Sequence, residues 1–205
     1  PLQRVIATGF ADELASGRGE YFLSQNLPRS DPGACWGSVR DDLEKKVLKG
    51  VSRSFYITLR LLPLPMRAGA SLGYLLARTS DTLADTTAAP VEARMKCLAQ
   101  FDKALAGDLA APRWPLSFLN ATDNPRERHL LECSGDIFQW LRALPAAEAE
   151  LVREVVGIIV SGQKLDLERF SGASGRHPVA LADDTELEDY AWRVAGCVGE
   201  FWTKL

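Results

Sequence analysis

Ser71-Leu-Gly-Tyr-Leu-Leu-Ala-Arg-Thr-Ser-Asp-Thr-Leu-Ala-Asp85 decides the fold. Tyr74, Arg78, Asp81 and Asp85 are separated by four, three and four residues, which on a helix puts them on one stripe. Leu72, Leu75, Leu76, Thr79 and Leu83 form a second stripe on the opposite side. One face therefore calls for a core, and the other presents a tyrosine, a cation and two carboxylates. That acidic face is electrostatically awkward. Carboxylates at i, i+4 repel by about 0.2–0.5 kcal/mol. The pattern breaks at Thr86–Pro90, so both lie near the negative end of the helix dipole, at a cost of about 0.3–1 kcal/mol each when exposed. A bound cation reverses these signs, and oxygen-only ligands suit magnesium, which keeps waters and shares its shell with phosphate. The alternative is a solvated helix end with Arg78 pairing Asp81 or Asp85.

Working outward, the flanking segments are also helical. Leu43, Val47, Val51, Phe55, Leu59 and Leu62 recur at three and four, predicting a helix from about Gly37 that Pro63 and Pro65 end. Arg53 points off its apolar face. The central helix runs from about Pro65, tolerated in a first turn, to Asp85. Helices follow over about 90–106, 124–144 and 145–170, with 107–123 and 171–184 read as loops. The stretch Val155–Asp166 is apolar nearly all round, so it belongs near the centre. Gly157 and Gly162 each cost about 1 kcal/mol inside a helix, which points to close approach by a neighbour or ligand. Asp166 ends that apolar stripe, as a site carboxylate or as a partner of Arg169. The last helix, capped by Asp184 or Thr185, carries Tyr190, Val194, Cys197, Val198, Phe201 and Leu205 on one stripe. A short helix fits Val5–Leu14. No strand alternation and no internal repeat emerge. The reading is one all-α domain with an acidic site.

Composition narrows the classes. The 205 residues carry a net charge of −3, so no nucleic-acid footprint is present. Cys35, Cys97, Cys133 and Cys197 are scattered, which fits reduced thiols in a cytosolic compartment. His129 and Cys133 alone do not make a zinc site. No apolar run approaches the ~20 residues of a membrane span. There is no phosphate loop, dinucleotide fingerprint or nucleophile elbow. The chain opens on Pro1 and stops inside a helical pattern, so both ends are read as cut.

Four segments together carry a family resemblance. Ser52-Arg-Ser-Phe55, Tyr74 through Asp85, Gly162-Gln-Lys-Leu-Asp-Leu167 and Tyr190-Ala-Trp-Arg-Val-Ala-Gly-Cys-Val-Gly199 resemble the squalene/phytoene synthase family in residues, order and spacing. The resemblance covers about Gly37 to Leu205, leaving 1–35 as a segment without assigned role and 36–205 as the helical domain. It implies the isoprenoid-synthase fold, an all-α bundle around a central cavity. It also implies head-to-head condensation of two prenyl diphosphates, farnesyl diphosphate being the expected substrate, through a cyclopropyl diphosphate to a squalene- or phytoene-type product.

By the same resemblance Asp81 and Asp85 hold magnesium, and Tyr74, Arg78 and Tyr190 are the catalytic candidates. Arg53, Ser54, Phe55, Gly162, Asp166, Val194, Ala195, Gly196 and Gly199 contact substrate. NADPH is implied only for squalene. An apolar product is compatible with peripheral membrane contact. Cys197 and Trp202 stand where the family more often has other residues. The family's second aspartate motif would lie past Leu205, so the domain is expected to be incomplete at its C-terminus. A non-catalytic member, acting as a binding or assembly factor, is the alternative.

Overall fold

A computed structural model describes residues 32–52 and 54–205. The helix expected near Val5–Leu14, and Arg53, lie outside them. Among the described residues all regular elements are helical, apart from one bridge between Ser174 and His177. The chain runs through α1 (Pro32–Asp42), a π segment (Leu43–Leu48), α2 (Lys49–Ser52), α3 (Phe55–Leu61), α4 (Leu64–Asp85) and α5 (Val91–Ala106). It continues through α6 (Leu116–Ala121), α7 (Pro125–Glu132), α8 (Ser134–Ala143), α9 (Ala146–Arg169), α10 (Asp184–Ala191), a second π segment (Trp192–Gly196) and α11 (Cys197–Lys204). None of these helices is long and apolar enough to cross a membrane.

Proline sets the helix starts. Pro63, Pro90, Pro115 and Pro145 stand immediately before α4, α5, α6 and α9, and Pro65 sits in the first turn of α4. There a missing N–H breaks no helical hydrogen bond. Pro125 opens α7, where the Asn124 side chain accepts from the Arg126 N–H at 3.0 Å. Gly107 ends α5 at φ 93°, a left-handed conformation that glycine adopts without penalty.

α4 is the central element. Leu72, Leu75, Leu76, Thr79 and Leu83 are all fully buried, as their stripe requires. Buried hydroxyls on α4 are satisfied within the helix: Thr79 donates to the Leu75 carbonyl at 2.8 Å, and Thr82 to that of Arg78 at 3.0 Å. α9 packs along α4, with α5, α7 and α8 around them. Gly69 faces Glu148 and Asp81 meets Gln163, so α4 and α9 run in the same direction. α11 runs against them, with Phe201 opposite Gly73 and Leu205 opposite Gly69. Phe101 and Phe138 meet edge to face at 5.3 Å and tie α5 to α8.

Arginines finish many helix ends. Arg94 donates to the Ala84 carbonyl at 2.8 Å, Arg67 to Leu62 at 2.9 Å, and Arg128 to Thr122 through two nitrogens. Arg153 reaches the Leu105 carbonyl at the end of α5. Each supplies a donor and a positive charge where carbonyls lack helical partners.

Four sequence expectations need correction. The helix from Gly37 to Leu62 is divided by a π segment and a turn at Ser54; the wide turn of the π segment brings Leu48 into the core beside Leu43 and Val47. The loop 107–123 holds α6, whose Phe118 and Leu119 are buried. The helix expected over 124–144 breaks at Cys133, where the Trp114 indole donates to the Leu131 carbonyl at 3.0 Å and to Ser134 Oγ at 2.9 Å. The last helix is capped by Asp183, whose carboxylate accepts from the Glu186 N–H at 2.9 Å, and its π segment turns Val194 out of the expected stripe to 43% exposure.

Leu76→Ala should lower unfolding stability by about 2–5 kcal/mol in urea titrations, since it leaves a cavity in the fully buried α4 seam. Leu61→Ala, at a side chain 80% exposed, should change it by no more than about 0.5 kcal/mol.

Candidate active site

The second face of α4 changes character along its length. Ala70, Gly73 and Ala77 leave space, Tyr74 adds a ring, and Arg78, Asp81 and Asp85 follow over the last two turns. The small residues open onto an apolar cavity of about 210 Å³. α9 contributes Val155 and Ile159 to its wall, and α11 contributes Val198, Phe201 and Trp202. Phe55, the first residue of α3, also lines it. Its ring stacks on Tyr74 at 5.2 Å and meets Trp202 edge-on at 6.5 Å. The Tyr74 hydroxyl donates to the Val51 carbonyl at 3.4 Å, so its polar end is turned away from the cavity walls.

Beyond Ala77 and Ile159 both long helices carry polar side chains. Gln163, one turn past Ile159 on α9, donates to Asp81 Oδ1. The Arg78 guanidinium lies 3.9 Å from Asp81 and also pairs with Glu127 of α7. Burial pushes the Asp81 carboxyl above its ordinary value; Arg78 opposes that shift and Asp85 adds to it. Asp85 is exposed at the end of α4. Lys164 pairs with Asp102 of α5. Asp166 does not pair with Arg169, because Arg169 reaches Glu186 of α10 at 3.3 Å. Asp166 Oδ1, Gln163 Oε1 and Arg78 Nε are all buried without a hydrogen-bond partner among the described residues. Among the described residues no three of His, Cys, Asp and Glu are placed to hold a metal ion; His129 and Cys133 stand 3.8 Å apart as a simple i, i+4 pair.

A model of the squalene/phytoene synthase family matches residues 48–205. The chain belongs to the squalene/phytoene synthase family. Two structures of TcSQS, each with a bound ligand, share its fold with TM-scores of 0.63 and 0.62 at 23% identity. The matches cover 82% of this chain and 44% of theirs, so it spans less than half the length of those chains. They establish the isoprenoid-synthase fold. No curated protein matches.

The structure gathers some of the residues that the family resemblance singles out and disperses others. Phe55 and Tyr74 line the cavity, and Arg78, Asp81 and Asp85 follow on the same face of α4 outside its lining. Ser54 is exposed just before α3. Gly162 faces a neighbouring helix: a Cβ added there would lie 3.0 Å from Cβ of Arg193, so the glycine admits the second π segment against α9. Arg193 is held there by Ser161 at 2.6 Å and Asp189 at 2.9 Å. Tyr190 is half-buried on α10 and does not line the cavity. Val194, Ala195, Gly196 and Gly199 are exposed.

Residues the sequence reading did not select do much of the lining. Ala70, Gly73 and Ala77 were detectable, as small residues spaced three and four apart on the stripe of Tyr74 and Asp81. Gln163 lies inside a quoted segment, and only its contact reveals it. Glu127, in the first turn of α7, carries no signal in sequence.

Burial raises the Asp166 carboxyl, with Arg169 opposing. A carboxyl raised on folding favours the native state when protonated, so the wild type loses stability as pH rises through the folded pKa. Asp166→Asn should therefore melt above the wild type at neutral pH. The gap should close as pH falls toward the ordinary carboxylate value of 3.8, which melting curves across that range would show.

Proposed function

We propose that this chain forms the prenyl-binding and first-aspartate part of a head-to-head prenyl transferase. The substrates are two prenyl diphosphates, farnesyl diphosphate being the expected one. The product is of the squalene or phytoene type, reached through a cyclopropyl diphosphate. The observation that carries this is that one face of α4 passes from small and aromatic residues lining an apolar cavity to Arg78, Asp81 and Asp85 over its last two turns. An amphiphile with a long apolar tail and a charged head has that shape. The cavity of about 210 Å³ is smaller than the roughly 300–1,000 Å³ of common ligand sites.

The acidic end fits magnesium in its donor chemistry. Magnesium takes one or two carboxylates and fills the rest of its shell with water and phosphate. Asp81 and Asp85 would hold it, and once bound it would neutralise the diphosphate oxygens as they leave. The chain's own groups do the remaining work. Arg78 adds positive charge beside Asp81. Gln163 fixes the orientation of the Asp81 carboxylate. Phe55, Tyr74 and Trp202 keep water from an allylic cation and present ring faces whose negative quadrupole suits a positive charge. A squalene product would additionally call for NADPH.

Binding of farnesyl S-thiolodiphosphate to the full-length protein, with magnesium and with EDTA, tests this together with turnover. Asp81→Ala and Asp85→Ala should each abolish the magnesium-dependent part of binding and lower turnover by about 10²-fold or more. Undiminished turnover of farnesyl diphosphate in Asp81→Ala would overturn the proposal. Tight magnesium-dependent binding with no turnover in the wild type would favour a non-catalytic binding role.

A further inference from the structure

We propose that Glu127 is a positioning residue: it draws the Arg78 guanidinium off Asp81 and so keeps the Asp81 carboxylate open to a divalent cation. The proposal rests on the magnesium part of the reading above and goes on to identify what keeps that end of α4 from closing on itself.

The sequence alone favours closure. Arg78 and Asp81 are three residues apart on α4, a spacing at which an arginine and an aspartate meet as a hydrogen-bonded ion pair. Such a pair would occupy the carboxylate oxygens that a hard cation needs. In the structure it has not formed. Arg78 Nη1 stands 3.9 Å from Asp81 Oδ2, too far for a hydrogen bond. The guanidinium is turned instead toward α7, where Nη2 donates to Glu127 Oε1. Gln163 takes up Asp81 Oδ1 from α9. Asp81 Oδ2 is left with a positive charge nearby and, among the described residues, no hydrogen bond.

Glu127 can hold that position because α7 is fixed on both sides. Asn124 caps the helix, and Glu127 lies in its first turn, where the helix dipole favours a carboxylate. Its chain neighbours anchor the turn: Arg126 donates to the Gly50 carbonyl at 3.4 Å, and Arg128 to the Thr122 carbonyl through two nitrogens. Leu130 and Leu131 are buried in the core. The Arg78 and Glu127 side chains are 29% and 23% exposed, so water and salt compete with this pair less than with one on an open surface. Once the Glu127 carboxylate is removed, the guanidinium turns to Asp81, and a cation must then displace it.

The test is a titration of the full-length protein with Mn2+, an oxygen-seeking stand-in for magnesium, followed by loss of the free-ion electron paramagnetic resonance signal. Glu127→Gln, which keeps the shape and removes the charge, should weaken Mn2+ binding by about tenfold or more. Glu127→Asp, which keeps the charge but withdraws the carboxylate by one methylene, should weaken it too. The charge of Glu127 also reaches Asp81 directly, and a further comparison separates the two routes. In an Arg78→Met background no guanidinium remains to close on Asp81, so there Glu127→Gln should change the affinity by less than about twofold. Undiminished affinity in Glu127→Gln would overturn the proposal. So would wild-type affinity in Glu127→Asp, or an equal loss in Glu127→Gln with and without Arg78, since each makes Glu127 a charge acting at a distance. In those outcomes the prenyl diphosphate reading survives. Folded wild-type protein that binds no Mn2+ would overturn the cation reading of Asp81 and Asp85 and this proposal together. Mn2+ binding without any binding of farnesyl S-thiolodiphosphate would overturn the prenyl diphosphate reading and leave the role of Glu127 to be decided by the variants.

Discussion

The side-by-side, same-direction packing of α4 and α9 is the constraint from which the site follows. Two helices that run the same way bring their negative ends together. Here those ends carry still more negative charge, with Asp81 and Asp85 on α4 and Asp166 on α9. The protein partly compensates with cations from outside the pair: Arg94 on the last carbonyls of α4, Lys164 toward Asp102, and Arg169 in the last turn of α9. Unpartnered polar atoms on Arg78, Gln163 and Asp166 remain at this end. Carboxylates gathered at one end of a bundle, with buried donors and acceptors left unfilled, make that end electrostatically costly.

The same packing shapes the apolar end. Lower down the pair the facing positions are Ala70, Gly73 and Ala77 against Val155 and Ile159, too small to fill the space between two helix axes. α11, running the other way, supplies bulk from the side through Phe201 and Trp202. The turn at Ser54 precedes α3, whose first residue, Phe55, stacks on Tyr74. Two helices thus define both the charge and the void, and the shorter elements fit around them.

Much of this was legible in the sequence, and the reasons differ from one residue to another. The α4 stripe of Leu72, Leu75, Leu76, Thr79 and Leu83 was readable because a long uninterrupted helix preserves the 3.6-residue phase. Prolines marked most of the helix starts for the same local reason. The phase failed where a π turn inserted: Val194 drops out of its stripe beyond Ala191, and Leu48 enters the core ahead of α2. The break at Cys133 was illegible because the group that stabilises it, the Trp114 indole, lies far off in the chain. Asp81 was singled out by local electrostatics, whereas its partner Gln163, 82 residues away, depends on tertiary packing alone. Gly162 was rightly marked as a place of close approach, and the approaching group is the Arg193 stem.

The arginines at the helix ends have a consequence for how the fold responds to ionic strength. An exposed ion pair weakens as salt rises, because counter-ions screen both partners. In Arg67, Arg94, Arg128 and Arg153 the acceptor is a neutral backbone carbonyl, so the bond is mostly short-range and geometric. Lysine could match the charge but not the planar fork with which Arg128 grips the Thr122 carbonyl through two nitrogens. The scaffold that holds α4 in place is thereby largely insulated from salt, while the Arg78, Asp81 and Asp85 end, where charge faces charge, keeps its full sensitivity to it.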